Sequence, residues 1–311
     1  MEPNTTNTKT LPDKIAISSD GKQPSGISTG PFSNLGAKVE NVNGYDRLRF
    51  EMKPGSSLVT NQETMSYMDG GLETGAGVGS GGIFGALLRG VTGSSALQNT
   101  VFNKTQTTLK IVLSPLLQGS IVQVNLKAGE KWRFADRSFL ACTPNITVSG
   151  NINLFNNFRL AFAGEGLTYT TVVADKGSDG VVWVTAHGAC EFHELSMGTG
   201  SSIPLYINNG CFLGMLETSE GINYWNDYVS VGTPNSMFSA FFTQLGFVMK
   251  VQDSKFPTRP ARCLVLTQSL NPHNLEHYVK RIAERAAESV MANRMGGGGH
   301  RTRKTRKVLR R

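Results

Sequence analysis

The sequence of 311 residues predicts an all-β fold, a duplicated β-sandwich followed by one amphipathic helix. Short apolar strands alternate with glycine-rich turns from residue 107 to residue 270, with almost no helical periodicity between them. One pattern also occurs twice: Gly119 lies seven residues before Leu126, and Gly188 lies seven residues before Leu195. Each copy follows an apolar strand and precedes a further glycine. A repeat of about seventy residues indicates a duplicated domain, and such domains commonly assemble.

The composition divides the chain into four regions. Asn, Thr, Ser, Gly and Pro dominate the first region, which therefore predicts disorder. Asn271-Pro272 is a typical helix start, and apolar residues then recur at three- and four-residue steps. In chain order we predict a disordered N-terminal arm (1–37), the β-sandwich (38–270, with repeats at about 45–150 and 160–270), an amphipathic helix (271–295) and a glycine-hinged basic tail (296–311).

The first strong strand shows a period of two. Leu48, Phe50 and Met52 alternate with charged residues, which predicts one buried face and one solvated face. A glycine-dense segment follows at residues 70–93 and includes a GxGxxG pattern at 77–82. A dinucleotide site would need that pattern inside a βαβ unit, and no such rhythm follows. The segment therefore favours a loop rather than a nucleotide site.

The positive charge is concentrated at the end of the chain. The formal net charge is +8, and the last eleven residues contribute seven cations and no acids, which leaves about +1 for the other 300 residues. Such a tail seeks polyanions, either nucleic acid or an anionic membrane surface. The predicted polyanion-binding residues are Arg301, Arg303, Lys304, Arg306, Lys307, Arg310 and Arg311.

No catalytic constellation is evident in the sequence. There is no CxxC pair. His187 and His193, with Glu191 and Glu194 nearby, lack the His-x-His spacing of a metal-binding cupin, so they are interpreted as surface or inter-subunit histidines. Arg133 beside Trp132 is a weak indication of single-stranded nucleic-acid binding. We expect a protein that is not an enzyme, with no catalytic, cofactor or metal residues.

The N-terminal sequence bears on location. It has no apolar signal-peptide core and no arginine before Arg47, so we expect neither secretion nor a mitochondrial presequence, and an intracellular protein. The apolar stretch at residues 82–88 is far shorter than the roughly 20 residues of a membrane span.

The order of several short motifs resembles the bacterial and mitochondrial family named for altered inheritance of mitochondria, the twenty-fourth of that series. The resemblance covers roughly residues 40 to 270, although the family usually has Gly-Glu-Ser where this chain has Gly93-Ser94-Ser95. The motifs are Pro54-Gly55, residues 65–70, residues 82–89, Leu113-Ser114-Pro115, Gly119-Ser120-Ile121, residues 126–130, residues 138–141, and residues 180–188 with Leu195.

The resemblance implies a β fold related to the tryptophan RNA-binding attenuation protein, within the double-stranded β-helix group, and a homotrimer. It supplies no catalytic residues. Our first hypothesis is a structural scaffold whose tail contacts polyanions, and such tails also resemble those of large DNA virus proteins, which makes a virion component an open possibility. Three further hypotheses are a nucleic-acid-binding module that uses the β body, a membrane-organisation protein like the mitochondrial relatives, and a cupin-like enzyme.

Overall fold

The computed structural model describes residues 14–18, 34–76, 98–135, 137–152, 168–198, 203–208, 210–232, 248–253, 261–269, 279 and 282–285. The chain forms two compact units, Met1–Asn271 and Pro272–Arg311. Strands dominate the first unit, which confirms the prediction of an all-β fold. In the second unit, Val279 and residues 282–285 are helical. The rest of the predicted helix, the basic tail and the GxGxxG segment lie outside the described residues.

The described strands consist of two N-terminal strands followed by three modules. The N-terminal strands are β1 (Ile15–Ile17) and β2 (Leu35–Val42). The first module contains β3 (Tyr45–Met52), β4 (Ser57–Asn61), β5 (Met65–Met68), β6 (Leu72–Ala76), β7 (Gln98–Asn103) and β8 (Leu109–Leu113). The second contains β9 (Ile121–Leu126), β10 (Lys131–Ala135), β11 (Phe139–Cys142), β12 (Ile146–Ile152), β13 (Thr168–Ala174) and β14 (Gly180–Thr185). The third contains β15 (Cys190–Met197), β16 (Leu205–Ile207), β17 (Phe212–Ser219), β18 (Ile222–Asn223), the short helix α1 (Tyr224–Tyr228), β19 (Val229–Gly232), β20 (Val248–Val251) and β21 (Ala261–Gln268).

Each module pairs its strands in the same antiparallel pattern. The last strand lies between the first and third strands, giving β3-β8-β5, β9-β14-β11 and β15-β21-β17. Leaving β18 aside, the fifth strand lies between the second and fourth strands, giving β4-β7-β6, β10-β13-β12 and β16-β20-β19. The sequence predicts two copies of a repeat, whereas this pairing pattern occurs three times. The glycine signature precedes only β9 and β15, because β3 instead begins from a hairpin turn at Asn43 and Gly44.

Local details recur with the pairing pattern. The third strand of every module carries a register shift against the last strand, starting at Met65, Phe139 and Phe212. The residue just before each shift accepts a backbone hydrogen bond from the last strand or its end. These bonds run from Ser114 N to Thr64 O (2.7 Å), from Thr185 N to Ser138 O (2.7 Å) and from Gln268 N to Cys211 O (2.8 Å). The shift positions therefore give a residue-level alignment of the three modules.

Neighbouring modules are joined by one strand pair at each junction. β4 of the first module pairs with β11 of the second, and β10 of the second pairs with β17 of the third. These junctions create two seven-stranded sheets, with the orders β1-β9-β14-β11-β4-β7-β6 and β12-β13-β10-β17-β21-β15; the seventh strand of the second sheet is β18, which pairs with β17. The remaining pairs form the sheets β2-β3-β8-β5 and β16-β20-β19.

The core follows the predicted strand faces. Leu48, Phe50 and Met52 are buried, which confirms the period of two in β3. Phe50 meets Trp183 edge to face at 4.9 Å between ring centroids. Trp132 and Trp183 are fully buried, as expected for core aromatics.

Part of the predicted disordered arm lies in sheets. β1 pairs with β9, and β2 pairs with β3. Ile15 is 2% exposed and Leu35 is 1% exposed, so the few apolar residues of the arm anchor these strands in the core. The prediction of disorder is therefore wrong for residues 15–17 and 35–37, and the arm's other described residues, 14, 18 and 34, lie next to these strands.

Gly119 and Gly188, which mark the repeated pattern, meet in space. They form an isolated parallel bridge, and Gly188 N donates to Gln118 O at 3.1 Å. A Cβ atom on Gly119 would lie 1.7 Å from the carbonyl oxygen of Ala186. This backbone crossing therefore requires glycine at position 119.

Candidate functional site

A cavity of about 270 Å³ opens on the third module beside β15, β16 and β21. Its wall combines apolar side chains with a small polar group. The lining includes Glu191, His193, Leu205, Ile207, Cys211 and Thr267.

The polar group of this cavity centres on His193. Its Nε2 lies 3.0 Å from Thr267 Oγ1 and 4.0 Å from Glu191 Oε2. The side chain of Glu191 is largely exposed, so solvent weakens its attraction for the imidazole. Within the part of the chain that the structure describes, no three His, Cys, Asp or Glu side chains converge in a way that could hold a metal ion.

His187 occupies a different environment from His193. It is 3% exposed, and its backbone N donates to Gln268 Oε1 at 2.9 Å. Burial lowers the pKa of His187, and the positive charge of Arg137 lowers it further. His187 is therefore an interior residue, and the interpretation of both histidines as surface or inter-subunit residues is wrong for this one.

Arg133 and Glu217 form a buried ion pair. Arg133 Nε and Nη2 donate to the two carboxylate oxygens at 3.1 and 3.0 Å, and Lys131 Nζ lies 2.9 Å from the same carboxylate. Burial favours the neutral acid, but the hydrogen bonds from Arg133 and Lys131 outweigh it and lower the pKa of Glu217. Trp225 adds a cation–π contact, with its ring centroid 4.1 Å from the guanidinium carbon.

This geometry decides the role of Arg133 and Trp132. Trp132 is 0% exposed and Arg133 is 6% exposed, so neither can stack on or neutralise a nucleic acid at the surface. The suggested single-stranded nucleic-acid contact at these residues is therefore wrong, because both belong to the core. Sequence reasoning missed the ion pair because Glu217 lies 84 positions from Arg133, and only the junction between β10 and β17 brings them together.

Many charged side chains on the described β body are matched by opposite charges. Lys127 Nζ, for example, lies 2.7 Å from Asp179, which raises the pKa of Lys127 and lowers that of Asp179. Further pairs within the described residues are Lys14 with Glu130, Arg47 and Arg49 with Glu40, Arg49 with Glu51, Lys104 with Glu73, and Arg262 with Glu194. These cations already have carboxylate partners, so they are weak competitors for an external polyanion.

The seven predicted polyanion-binding residues of the tail are outside the described residues. Their role therefore stays a prediction from the sequence. In the described part of the chain, no helix is both long and apolar enough to cross a membrane.

Comparison with known proteins matches this architecture. A search of curated proteins found no match. Among solved structures, the crystal structure of protein SPYM3_0169 from Streptococcus pyogenes is similar, with a TM-score of 0.56 and 17% sequence identity. The match covers 80% of this chain and 99% of the other, and at this identity it establishes the fold alone.

The family comparison covers most of the β body. The model described as Mitochondrial biogenesis AIM24 matches residues 38–253, which includes nearly all of the three modules. The chain therefore belongs to the mitochondrial biogenesis AIM24 family.

Proposed function

We propose that this protein is a non-enzymatic scaffold, a homo-oligomer of β bodies from which the C-terminal tails reach a polyanion. The observation that carries this proposal is the partition of charge. Many cations on the described β body face carboxylates at short distances, whereas the last eleven residues contain seven cations and no acid. A polyanion therefore meets uncompensated positive charge in the tail.

The expected affinity of the tail follows from counterion release. If all seven cations contact phosphates, the logarithm of the binding constant falls with the logarithm of salt concentration with a slope of about −6 for double-stranded DNA. Four consecutive glycines, 296–299, begin the tail and favour a flexible connection. Nucleic acid is the partner we favour, and an anionic membrane surface is the second candidate.

The oligomeric part of the proposal is supported by the family resemblance, which implies a homotrimer. Family membership relates the chain to mitochondrial biogenesis, and a membrane-organising role would use the same oligomer and tail. A virion role stays a prediction from the tail composition. The double-stranded β-helix type also stays a prediction, and the recurrent pairing of three modules supports an origin by repetition of one unit.

A salt series tests the tail. Fluorescence anisotropy with labelled double-stranded DNA would compare the full chain with a chain that ends at Met295. A control variant, Lys104→Gln with Arg262→Gln, removes two exposed body cations and keeps the tail. We expect a steep salt slope for the full chain and the control, and no measurable binding for the shortened chain.

Two contrary results separate the competing functions. If the shortened chain binds as tightly as the full chain, the β body carries recognition and the tail proposal fails. If the full chain does not bind DNA but sediments with vesicles rich in phosphatidylserine, a membrane surface replaces nucleic acid as the partner.

A further inference from the structure

The two junctions between modules define a rule of strand pairing. At the first junction, the third strand of the second module (β11) pairs with the second strand of the first module (β4). At the second junction, β17 pairs with β10 in the same relation. The rule leaves one third strand and one second strand over, namely β5 of the first module and β16 of the third.

Both leftover strands lie at sheet edges. β5 ends the sheet β2-β3-β8-β5, and β16 ends the sheet β16-β20-β19. Within the described residues, no strand pairs with the outer edge of either one. Unpaired edges expose backbone donors and acceptors, and natural proteins commonly cover them or pair them.

The side chains of β5 are exposed where the equivalent residues of the other modules are buried. Met65 is 44% exposed and Tyr67 is 48% exposed. The register shifts align Met65 with Phe139, which is 3% exposed, and Tyr67 with Ala141, which is 0% exposed. The first-module strand therefore presents an apolar surface of the kind that its counterparts bury at a junction.

In the third module, β16 likewise presents exposed apolar side chains. Tyr206 is 40% exposed, and Ile203 just before the strand is 87% exposed. Ile207 precedes the register shift at Phe212 by the same five residues that separate Phe134 from Phe139. Ile207 is thus the equivalent of Phe134, which pairs with Gly214 at the second junction.

We propose that β5 of one chain pairs antiparallel with β16 of a second copy, repeating the internal junctions between molecules. The existing registers, Ala141 with Thr60 and Gly214 with Phe134, set the intermolecular register. Tyr67 then lies opposite Ile207, and Met68 lies opposite Tyr206. We expect the partner to be a second copy of this chain. Both internal junctions join a third strand to a second strand, and a second copy offers these same two strands unpaired. The contact is heterologous, so it closes into a ring when the rotation between copies permits.

This inference deepens the proposed scaffold function and rests on its homo-oligomer. Directly opposed residues of antiparallel strands have Cα atoms about 4.5–5.5 Å apart, which fits a disulfide. The test mixes two single-cysteine chains, Met68→Cys and Tyr206→Cys, in a background in which the partly exposed Cys190 and Cys211 are serine. Oxidation of the mixture should give a disulfide-linked dimer that contains one chain of each kind, and neither variant alone should give it.

A second experiment tests the same surface without cysteines. Tyr67→Lys places a charge in the edge that pairs. Tyr45→Lys places one on another exposed tyrosine, which is 60% exposed and lies on β3, separated from β5 by β8 in the sheet order. We expect Tyr67→Lys to dissociate the oligomer at least tenfold more readily, and Tyr45→Lys to leave it unchanged. Circular dichroism and the melting temperature confirm that both variants fold.

Three results would overturn the inference, and they can be told apart. A Met68→Cys, Tyr206→Cys double variant that forms its disulfide within one chain places the contact inside the monomer. An oligomer that persists in Tyr67→Lys and gives no mixed disulfide uses another surface, and the scaffold proposal then survives. A chain that remains monomeric at all concentrations removes both the inference and the oligomeric part of the proposed function.

Discussion

Residues that are far apart in the sequence form ion pairs and ring contacts at the module junctions. Arg133 lies at the junction between the second and third modules, where it meets Glu217 from β17 and the ring of Trp225. The pair is buried, and a buried ion pair is a sensitive feature because loss of one partner leaves an uncompensated charge.

The pair makes a prediction about pH. Arg133→Met leaves Glu217 buried beside Lys131 alone, so we expect the free energy of unfolding at pH 7 to fall by about 3–5 kcal/mol. Because the pKa of Glu217 is lowered in the folded state, its ionised carboxylate stabilises the native chain at pH values above the ordinary carboxyl pKa. This stabilisation is lost as the pH falls through the folded-state pKa. The deficit of the variant should therefore shrink as the pH falls, when measured by urea unfolding at several pH values between 7 and 3.

The exposed pair Arg262–Glu194 provides the control for this prediction. Arg262 is 66% exposed in its side chain, so Arg262→Met should cost less than about 1 kcal/mol at every pH. A deficit of Arg133→Met that does not depend on pH would show that the lost stability comes from packing rather than from the charge of Glu217.

The sequence pattern identifies the two constrained glycines, but it does not show which contacts require glycine there. The repeated pattern singled out Gly119 and Gly188, but only the structure brings them to one bridge. The requirement for glycine at position 119 comes from the carbonyl of Ala186, which is remote in sequence. A pattern can therefore mark a constrained residue without identifying the contact that constrains it.

At the scale of elements, alternation of apolar residues predicted the body strands well. β3, β8, β9, β14 and β21 all contain the apolar runs that predict strands from the sequence. β1 and β2 were harder to predict, because a short apolar patch within a polar segment gives little periodic signal. Their pairing depends on edges that β9 and β3 provide, and this tertiary effect is absent from local sequence.

β1 provides a prediction at this scale. Its three residues are fixed by burial of Ile15 and by backbone bonds, including Asn125 N to Lys14 O at 2.8 Å and Ser18 N to Ile121 O at 2.9 Å. Ile15→Asp would bury an unpaired carboxylate, so we expect β1 to detach while the modules stay folded. Hydrogen exchange of the Asn125 amide should accelerate at least tenfold, and amides between β12 and β13 should keep their protection.

Leu116→Asp is the matched control for β1. Leu116 is 63% exposed, so the same added charge should leave exchange at Asn125 unchanged. Uniform acceleration throughout the body in Ile15→Asp would mean that β1 is required for the global fold, contrary to this prediction.

At the scale of the whole molecule, the sequence shows where the net charge lies, and the structure shows which charges are paired. The concentration of positive charge in the tail follows from the sequence alone. The matched charges of the body are not, since partners such as Lys127 and Asp179 lie 52 positions apart. The third occurrence of the pairing pattern was also missed, because the first module lacks the glycine signature and its β3 begins from the hairpin turn at Asn43 and Gly44.

The central claim is that the β body assembles and that the tail is not needed for assembly. Native mass spectrometry of the full chain and of the chain ending at Met295 tests this claim most directly. We predict a homotrimer for both chains at micromolar concentration. Monomers of both chains would contradict it, and a trimer that dissociates when the tail is removed would transfer assembly from the β body to the C-terminal segment.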